Sequence, residues 1–406
     1  MNARVHPEAT AASLSEGADY ELLAQRFRPI FARIAEGAVE RERQRELPHE
    51  AIAWLKQAGF GAVRVPREHG GAGASLPQLV QLLIELAEAD SNITQALRGH
   101  FAFVEDRLNA EPGPGRDRWL RRFVEGDLVG CAWTEVGSVR LGEVLTRVSR
   151  KDDGRWVVNG SKYYSTGSLF SDWIDLYAQR DDTGADVIAA IRTDQPGVRQ
   201  SDDWDGFGQR TTASGTVILD NVRVPAEHVI PVHRAFDRPT AAGAVSQFIQ
   251  AAIDAGIARG ILAETVQQVR RHARPWIDAN QQHAWEDPYT IQQVGDLRIR
   301  VRAAEAVLDL AADAIEAALA APDEESVAAA SIAVAEAKVL TTEAALLAAN
   351  RLFELAGTRS TLEELNLDRH WRNARTHTLH DPVRWKYHAI GNYQLNGVKP
   401  PRHAWL

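Results

Sequence analysis

Two histidines three residues apart, His377 and His380, lead into an Asp381-Pro382 step near the C-terminal end of the chain. Imidazole is the side chain that holds or gives a proton near neutrality, so such a pair marks a place where protons or anions can be handled. The Asp-Pro step reads as a helix start, with Asp381 as the cap and Pro382 as the first helical residue. That would set both histidines in the turn at the positive end of a helix dipole. The plain alternatives are a solvated pair of loop histidines and a carboxylate that only caps. A third histidine, His100, stands among Ala96, Leu97, Phe101, Ala102 and Phe103. In that company a ring is either buried and satisfied or part of a pocket wall.

The elements that must position these residues fall into three blocks. From Asp19 to about Arg45 the apolar residues Leu22, Leu23, Phe27, Ile30, Phe31 and Ile34 recur at helical intervals, and a short helix follows from about Pro48 to Ala58. Gly59–Pro66, the glycine-rich His69–Leu76, and a helix to about Glu88 have the strand, glycine, helix outline of a dinucleotide loop. Leu76, however, stands where the third glycine of GxGxxG belongs, and the glycines read as a turn. Near Gly130 the periodicity becomes alternating, as in Arg155–Tyr164 and Thr216–Pro225, with Asp-Asp-Gly and Asn-Gly turns between runs. A compact sheet or barrel follows from this. Beyond Pro231 long helices return over about 241–271, 288–320 and 324–356, with Pro322-Asp323 as a break. The expected organisation is a flexible arm (1–18), an N-terminal helical domain (19–128), a β domain (129–235) and a C-terminal helical bundle with a tail (236–406), a mostly α, α+β chain.

A formal charge of -9, from 46 Lys+Arg against 55 Asp+Glu, argues against nucleic acid or an anionic membrane as the main partner. The single cysteine, Cys131, excludes an intrachain disulfide framework and any CxxC metal site and suits a reducing cytoplasm. No HExxH or similar metal spacing occurs, and no metal is expected. Residues 1–18 lack the apolar segment of a signal peptide, and no apolar run approaches the roughly 20 residues of a membrane span.

Three phrases, in this order and at these intervals, resemble the acyl-CoA dehydrogenase superfamily of flavoproteins over essentially the whole chain: Ala132-Trp133-Thr134-Glu135, Lys162-Tyr163-Tyr164-Ser165-Thr166-Gly167, and Gly206–Thr211 followed by Asp220–Pro225. The resemblance implies an N-terminal helical domain, a central β-barrel or sheet domain and a C-terminal four-helix bundle. It also implies that Trp133, Thr134, Tyr164, Ser165 and Thr166 line the flavin, and that Gly206–Pro225 forms the closing strands of the β domain. In dehydrogenases of this superfamily a common catalytic base is a Glu beside a Gly after an Arg-Asp-Ala-Lys-like phrase. Here the phrase is Arg372-Asn373-Ala374-Arg375, and the base position falls on the shorter Asp381 before Pro382.

His-x-x-His-Asp-Pro together with His100 is instead similar to the oxygenase branch, the two-component flavin-dependent monooxygenases of the dibenzothiophene monooxygenase type. Arg274-Pro275-Trp276 and Gly357-Thr358-Arg359-Ser360 resemble the same branch, which implies that Arg274 and Arg359 meet the cofactor phosphate; a guanidinium suits that task. The resemblance further implies reduced FMN from a separate NAD(P)H:flavin reductase, O2 as co-substrate, a homotetramer, and oxygen transfer through a C4a-(hydro)peroxyflavin. On that chemistry His377 and His380 stabilise and protonate the peroxide, His100 contacts flavin or substrate, and Thr166 or Ser165 bonds the flavin near N5. Trp133 and Tyr164 would supply water-excluding walls. A small organosulfur substrate is the first expectation; an amine nitrogen or aromatic ring, and acyl-CoA dehydrogenation with FAD, are the alternatives.

Overall fold

The computed structural model describes residues 7–135, 144–232, 236 and 238–404, with side chains from Tyr20 onward. Residues 1–6 of the expected N-terminal arm lie outside the described residues, and the backbone of α1 (Pro7–Gln44) already starts at Pro7. Helix α2 (His49–Gln57) follows. The stretch considered as strand, glycines and helix holds no strand. Phe60–Ala62 and Arg67–His69 are single 3₁₀ turns, because left-handed Gly59 turns the chain and sends the Phe60 ring in among Phe27, Phe31 and Phe101. Ser75 and Gln78 then form a reciprocal capping box at the start of α3 (Leu76–Leu108).

Helix α3 is two helical segments joined at Asp90, whose backbone is extended (φ -160°, ψ 105°). The Asp90 carboxylate accepts from the Asn92 N–H at 3.0 Å and from Arg41 of α1 at 2.9 Å, so it caps the second segment and ties it to α1. The second segment carries Gln95, Arg98 and His100 toward the sheet. Helix α4 (Pro114–Val124) closes the N-terminal block.

The central block is a sheet of eight strands: β1 (Val129–Ala132), β2 (Arg147–Arg150), β3 (Trp156–Lys162), β4 (Trp173–Arg180), β5 (Asp186–Arg192), β6 (Val198–Gln200), β7 (Val217–Val224) and β8 (Val229–Pro231). Pairing runs β6-β7-β3-β2-β4-β5-β8, with β1 also on β4; among the described residues this is an open path and not a closed barrel. β1 and β2 both lie parallel to β4 at successive positions along it, and the other pairs are antiparallel. Val148, Val158, Ile174, Leu176, Val187, Val217 and Val222 fill the space between its faces. Gly206–Thr211 is not a closing strand but a loop docked against the C-terminal helices, while Asp220–Val224 does lie in β7.

Three long helices follow, α5 (Ala242–Arg271), α6 (Pro288–Ala320) and α7 (Glu324–Ala356), then the shorter α8 (Asp368–His377) and α9 (Arg384–Asn396). Asp254 of α5 faces both Lys338 and Thr342 of α7, at 2.7 and 2.9 Å. The largest apolar core is shared between blocks: Leu83 and Leu86 of α3, Phe248 and Ile249 of α5, Leu308 of α6 and Val334 of α7 belong to one cluster. The C-terminal bundle is therefore completed on one side by α3, which fixes Gln95 and Arg98 relative to α5 and α8.

Candidate active site

α8 ends at His377, and the turn beyond it carries His380 and Asp381. The His377 ring is fully buried. Its Nδ1 lies 2.5 Å from Asp254 Oδ1 on α5, and its Nε2 lies 3.2 Å from the side-chain amide of Gln95 on α3. Asp254 also accepts from Lys338 Nζ and the Thr342 hydroxyl. Burial alone would raise the Asp254 pKa, but Lys338 and His377 together hold it below the usual carboxylate range, so it stays ionised. Burial lowers the pKa of His377 against the pull of Asp254, keeping the ring neutral at pH 7. Its Nδ1–H then donates to Asp254; the structure sets Gln95 Oε1 against Nε2, so a neutral ring accepts there only with the Gln95 amide turned over.

His380 is held differently. Its Nδ1 lies 3.3 Å from Asp381 Oδ1, and 29% of its side chain is open to solvent. Surrounding protein lowers its pKa, while water along the open edge limits that depression. Among the described residues its Nε2 has no partner. Asp381, expected as a helix cap, caps nothing: α9 starts at Arg384 behind Val383, without a side-chain cap. Its buried carboxylate instead faces Lys386, with the ammonium 3.2 Å from Oδ2. Burial opposes ionisation there, yet His380, Lys338 and Lys386 outweigh it and hold the pKa well below the ordinary carboxylate value.

His100 stands apart from this cluster, contrary to the pocket role expected for it. Its Nδ1 accepts from the Val129 N–H at 3.2 Å, which leaves the proton on Nε2 to be donated to the Gly61 carbonyl at 2.8 Å. With both nitrogens held by backbone and the ring edge-on to Phe101 and Phe123, it has nothing left for a ligand. Burial lowers its pKa to about 4, so it is a neutral core histidine.

The two phrases expected to line a flavin meet each other. The Cys131 N–H donates to the Thr166 carbonyl, and the Tyr163 N–H to that of Thr134, which joins the end of β1 to the turn after β3. Gly167, at φ 76°, sets this turn against α3: a Cβ there would stand 2.1 Å from the Ala96 carbonyl oxygen. Tyr164 adopts φ 54° and keeps 48% of its surface exposed. Trp133 donates from Nε1 to Asp175 at 2.8 Å, and Thr134 is exposed. The Ser165 hydroxyl is buried with no partner among the described residues. Thr212 donates to the Gln209 carbonyl, so Ser214 donates to Thr212 and Thr166 donates to Ser214 at 2.8 Å. That sequence leaves the Thr166 oxygen as an acceptor. A cavity of about 270 Å³ adjoins, lined by Ser161, Lys162, Tyr163 and Thr216.

An exposed Tyr164, a half-buried Trp133, an unspent Ser165 hydroxyl and an acceptor at Thr166 suit a planar ring system with mixed donors and acceptors, and the residues present fit a flavin. Among the described residues no hydrogen bond or ion pair joins these groups to Arg274 or Arg359. They are exposed, at the C-terminal ends of the parallel helices α5 and α7, and make no side-chain ion pair among the described residues. Among the described residues no group of three or more His, Cys, Asp or Glu side chains could hold a metal ion, and no helix is long and apolar enough to cross a membrane.

Models of the acyl-CoA dehydrogenase N-terminal, middle and C-terminal domains match residues 18–127, 130–222 and 248–385, in the order of the three blocks. A dibenzothiophene monooxygenase from Mycolicibacterium goodii is 34% identical over 378 residues, covering 89% of this chain and 91% of the relative. The chain belongs to the acyl-CoA dehydrogenase superfamily. Within that superfamily it falls with the monooxygenase branch. The probable FMNH2-dependent monooxygenase SfnC of Pseudomonas putida is 30% identical, over 92% of this chain and 94% of its own length. The solved structure of the methanesulfinate monooxygenase MsuC from Pseudomonas fluorescens has 28% identity and a TM-score of 0.87, over 94% of this chain and 99% of that one.

Sequence reasoning missed Asp254, Lys338, Gln95, Arg98, Ser214 and Lys386. Asp254 and Lys338 carried a signal: each is a lone charge within the apolar face of a long helix, as in Ala-Ala-Ile-Asp254-Ala-Gly-Ile. The hydroxyl sequence from Thr166 to Thr212 has no periodic signature, because a loop-to-loop contact makes it.

Proposed function

We propose that this chain is an FMN-dependent monooxygenase that takes reduced FMN from a separate NAD(P)H:flavin reductase and transfers one atom of O2 to the sulfur of a small organosulfur compound. The observation that carries the reading is the state of Asp381. At the place where a dehydrogenase of this superfamily has a free carboxylate base, the carboxylate is tied to Lys386 and His380 and is too weak a base to take a proton from carbon. The ring that keeps a nitrogen without a partner there, among the described residues, is the His380 imidazole.

Bound reduced FMN would supply the two electrons that, with those of sulfur, let dioxygen leave one oxygen on sulfur and the other as water. The chain's residues do the rest. Trp133 and Tyr164 wall the ring and exclude water. Thr166 offers an acceptor for the ring N–H of a reduced flavin, and Ser165 a second hydroxyl. Asp381 holds the Nδ1–H of His380 and fixes the ring's orientation, so Nε2, bare in the neutral ring, relays a proton taken up from the solvent edge to the oxygen that must leave. His377 carries its proton on the side away from the cleft, so it supports Gln95 and the α8 end instead of donating directly. Arg274 and Arg359 hold the FMN phosphate. The same reading makes the enzyme a cytoplasmic homotetramer.

The test supplies purified chain with a flavin reductase, NADH, FMN and O2 and offers sulfides, sulfoxides, sulfones and sulfinates. The expected result is an oxygenated sulfur product and no bleaching of bound flavin by acyl-CoA under anaerobic conditions. Bleaching by acyl-CoA, with no oxygenated product, would make the chain a dehydrogenase.

A further inference from the structure

Every buried lysine around the cleft is matched by a carboxylate: Lys338 by Asp254 at 2.7 Å, Lys386 by Asp381 at 3.2 Å and Lys162 by Glu135 at 2.6 Å. Arg98 is not. It lies one turn beyond Gln95 on the same face of α3, and its Nη2 reaches no closer partner than Cys131 Sγ at 3.9 Å. Its Nε is shut off from water with no hydrogen-bond partner, and no carboxylate pairs with it among the described residues. The guanidinium lies close enough to His377 and His380 to disfavour a proton on both, and Gln95, one turn before it, bonds the His377 ring. The nearby carboxyl of Asp175 offers little compensation. It spends Oδ2 on the Trp133 N–H, its Oδ1 is unpartnered, and burial raises its pKa to about 7.

A half-buried guanidinium with unspent donors is costly unless something negative arrives to meet it. Its planar fork matches two oxygens on one centre, the geometry of a sulfinate, sulfonate or carboxylate. Neutral sulfides and sulfones bring no charge to satisfy it. We propose that Arg98 reads an anionic group on the substrate, and that the substrate is a small organosulfur oxyanion, an alkanesulfinate being the simplest that can still accept oxygen at sulfur.

This rests on the monooxygenase reading for its chemistry but not for its binding. The overall step balances as RSO2⁻ + O2 + FMNH2 giving RSO3⁻ + FMN + H2O. A new S–O bond forms at the sulfinate sulfur, which loses two electrons, the flavin loses two more, and dioxygen takes up all four.

Calorimetry on the full chain, with and without FMN, compares methanesulfinate with dimethyl sulfoxide, a neutral molecule of nearly the same shape. The sulfinate is expected to bind at least about tenfold more tightly, with an advantage that shrinks as salt rises. Arg98→Gln should abolish that advantage, and Arg98→Lys should keep part of it, both with an unchanged thermal midpoint. Equal affinity for the two probes in the wild-type chain, or an advantage undiminished in Arg98→Gln, overturns the proposal. Product analysis separates it from the activity. Sulfinate bound through Arg98 but never oxidised leaves the anion site standing and removes the monooxygenase reading. Oxidation of neutral sulfides with sulfinate ignored does the reverse.

Discussion

The two C-terminal histidines divide their work because their second nitrogens face different things. His377 has both nitrogens engaged, by Asp254 and Gln95, whereas His380 has one engaged and, among the described residues, one without a partner. His380→Ala should therefore leave folding almost intact and uncouple the reaction, with oxygen consumption continuing, peroxide replacing product and product formation falling about 10²- to 10⁴-fold. A coupled His380→Ala enzyme would move the proton donor elsewhere. His377→Ala should instead lower the thermal midpoint, since it opens a cavity beside a buried charge, at a cost of about 2–4 kcal/mol. Asp175 gives a pH test. Its folded pKa, raised by burial to about 7, lies above its unfolded value, so the folded state binds the extra proton. The stability linked to that proton is present at low pH and lost as pH rises from about 4 to 7. Asp175→Asn keeps an acceptor for Trp133 and should flatten that part of the curve of thermal midpoint against pH. An unchanged slope would mean that Asp175 is not held protonated.

Among the elements, α8 is the one that the site depends on most, and a clamp that no periodicity reveals sets its position. Asn373 accepts the Gln209 N–H at 2.7 Å, and Arg372 pairs with Glu42 at 2.6 Å while donating to the Phe207 carbonyl. The 206–211 loop thus joins the sheet to α8 and α1. A Cβ at Gly208 would stand 2.0 Å from the Arg372 carbonyl oxygen. Asn373→Ala strands a buried N–H, so the thermal midpoint should fall by the equivalent of about 1–3 kcal/mol. The peroxide fraction should rise as well, because the same helix ends at His377; a variant that loses stability yet keeps full coupling would show that α8 is held by other contacts. The long helices were legible because their apolar stripes repeat every turn over thirty residues, and the β block because it alternates. The chemistry-bearing phrases were legible as phrases. The role of His100 was not, since its partners are the backbone of Gly61 and Val129, which carry no side-chain signature. Nor was the Asp381 contact with Lys386: Asp-Pro carries the same local signal whether the carboxylate caps a helix or turns inward.

At the scale of the whole molecule, the surface is unfinished. On α6, Leu297, Val301, Ala304, Leu308 and Ile315 face the core, and at 3.6 residues per turn Ile299 and Leu310 fall on the opposite side, where they are 70% and 65% exposed. Trp276 and Ile277, at 70% and 84%, lie just beyond Arg274. Such a display on several elements is what further copies of the chain would cover. The arginines point the same way. From Asp254, which holds His377, to the end of α5 is about 17 residues, or about 25 Å of helix, a span longer than an FMN molecule. Arg274 stands beyond that span, so for it and Arg359 to meet a flavin beside His380 a neighbouring copy is the simpler source. Light scattering should give a mass near four times the 44.8 kDa chain, and Ile299→Glu with Leu310→Glu should lower it. The sharper measurement is complementation. His380→Ala is inactive for want of the proton donor, and Arg274→Ala with Arg359→Ala is inactive at limiting FMN for want of the phosphate clamp. Co-expressed in equal amounts they assemble at random, and about one site in four combines an intact cleft with an intact pair of arginines. Mixed assemblies should recover up to that share of wild-type activity at limiting FMN. If they show only the activity of the two parents, the arginines do not serve a neighbour's flavin.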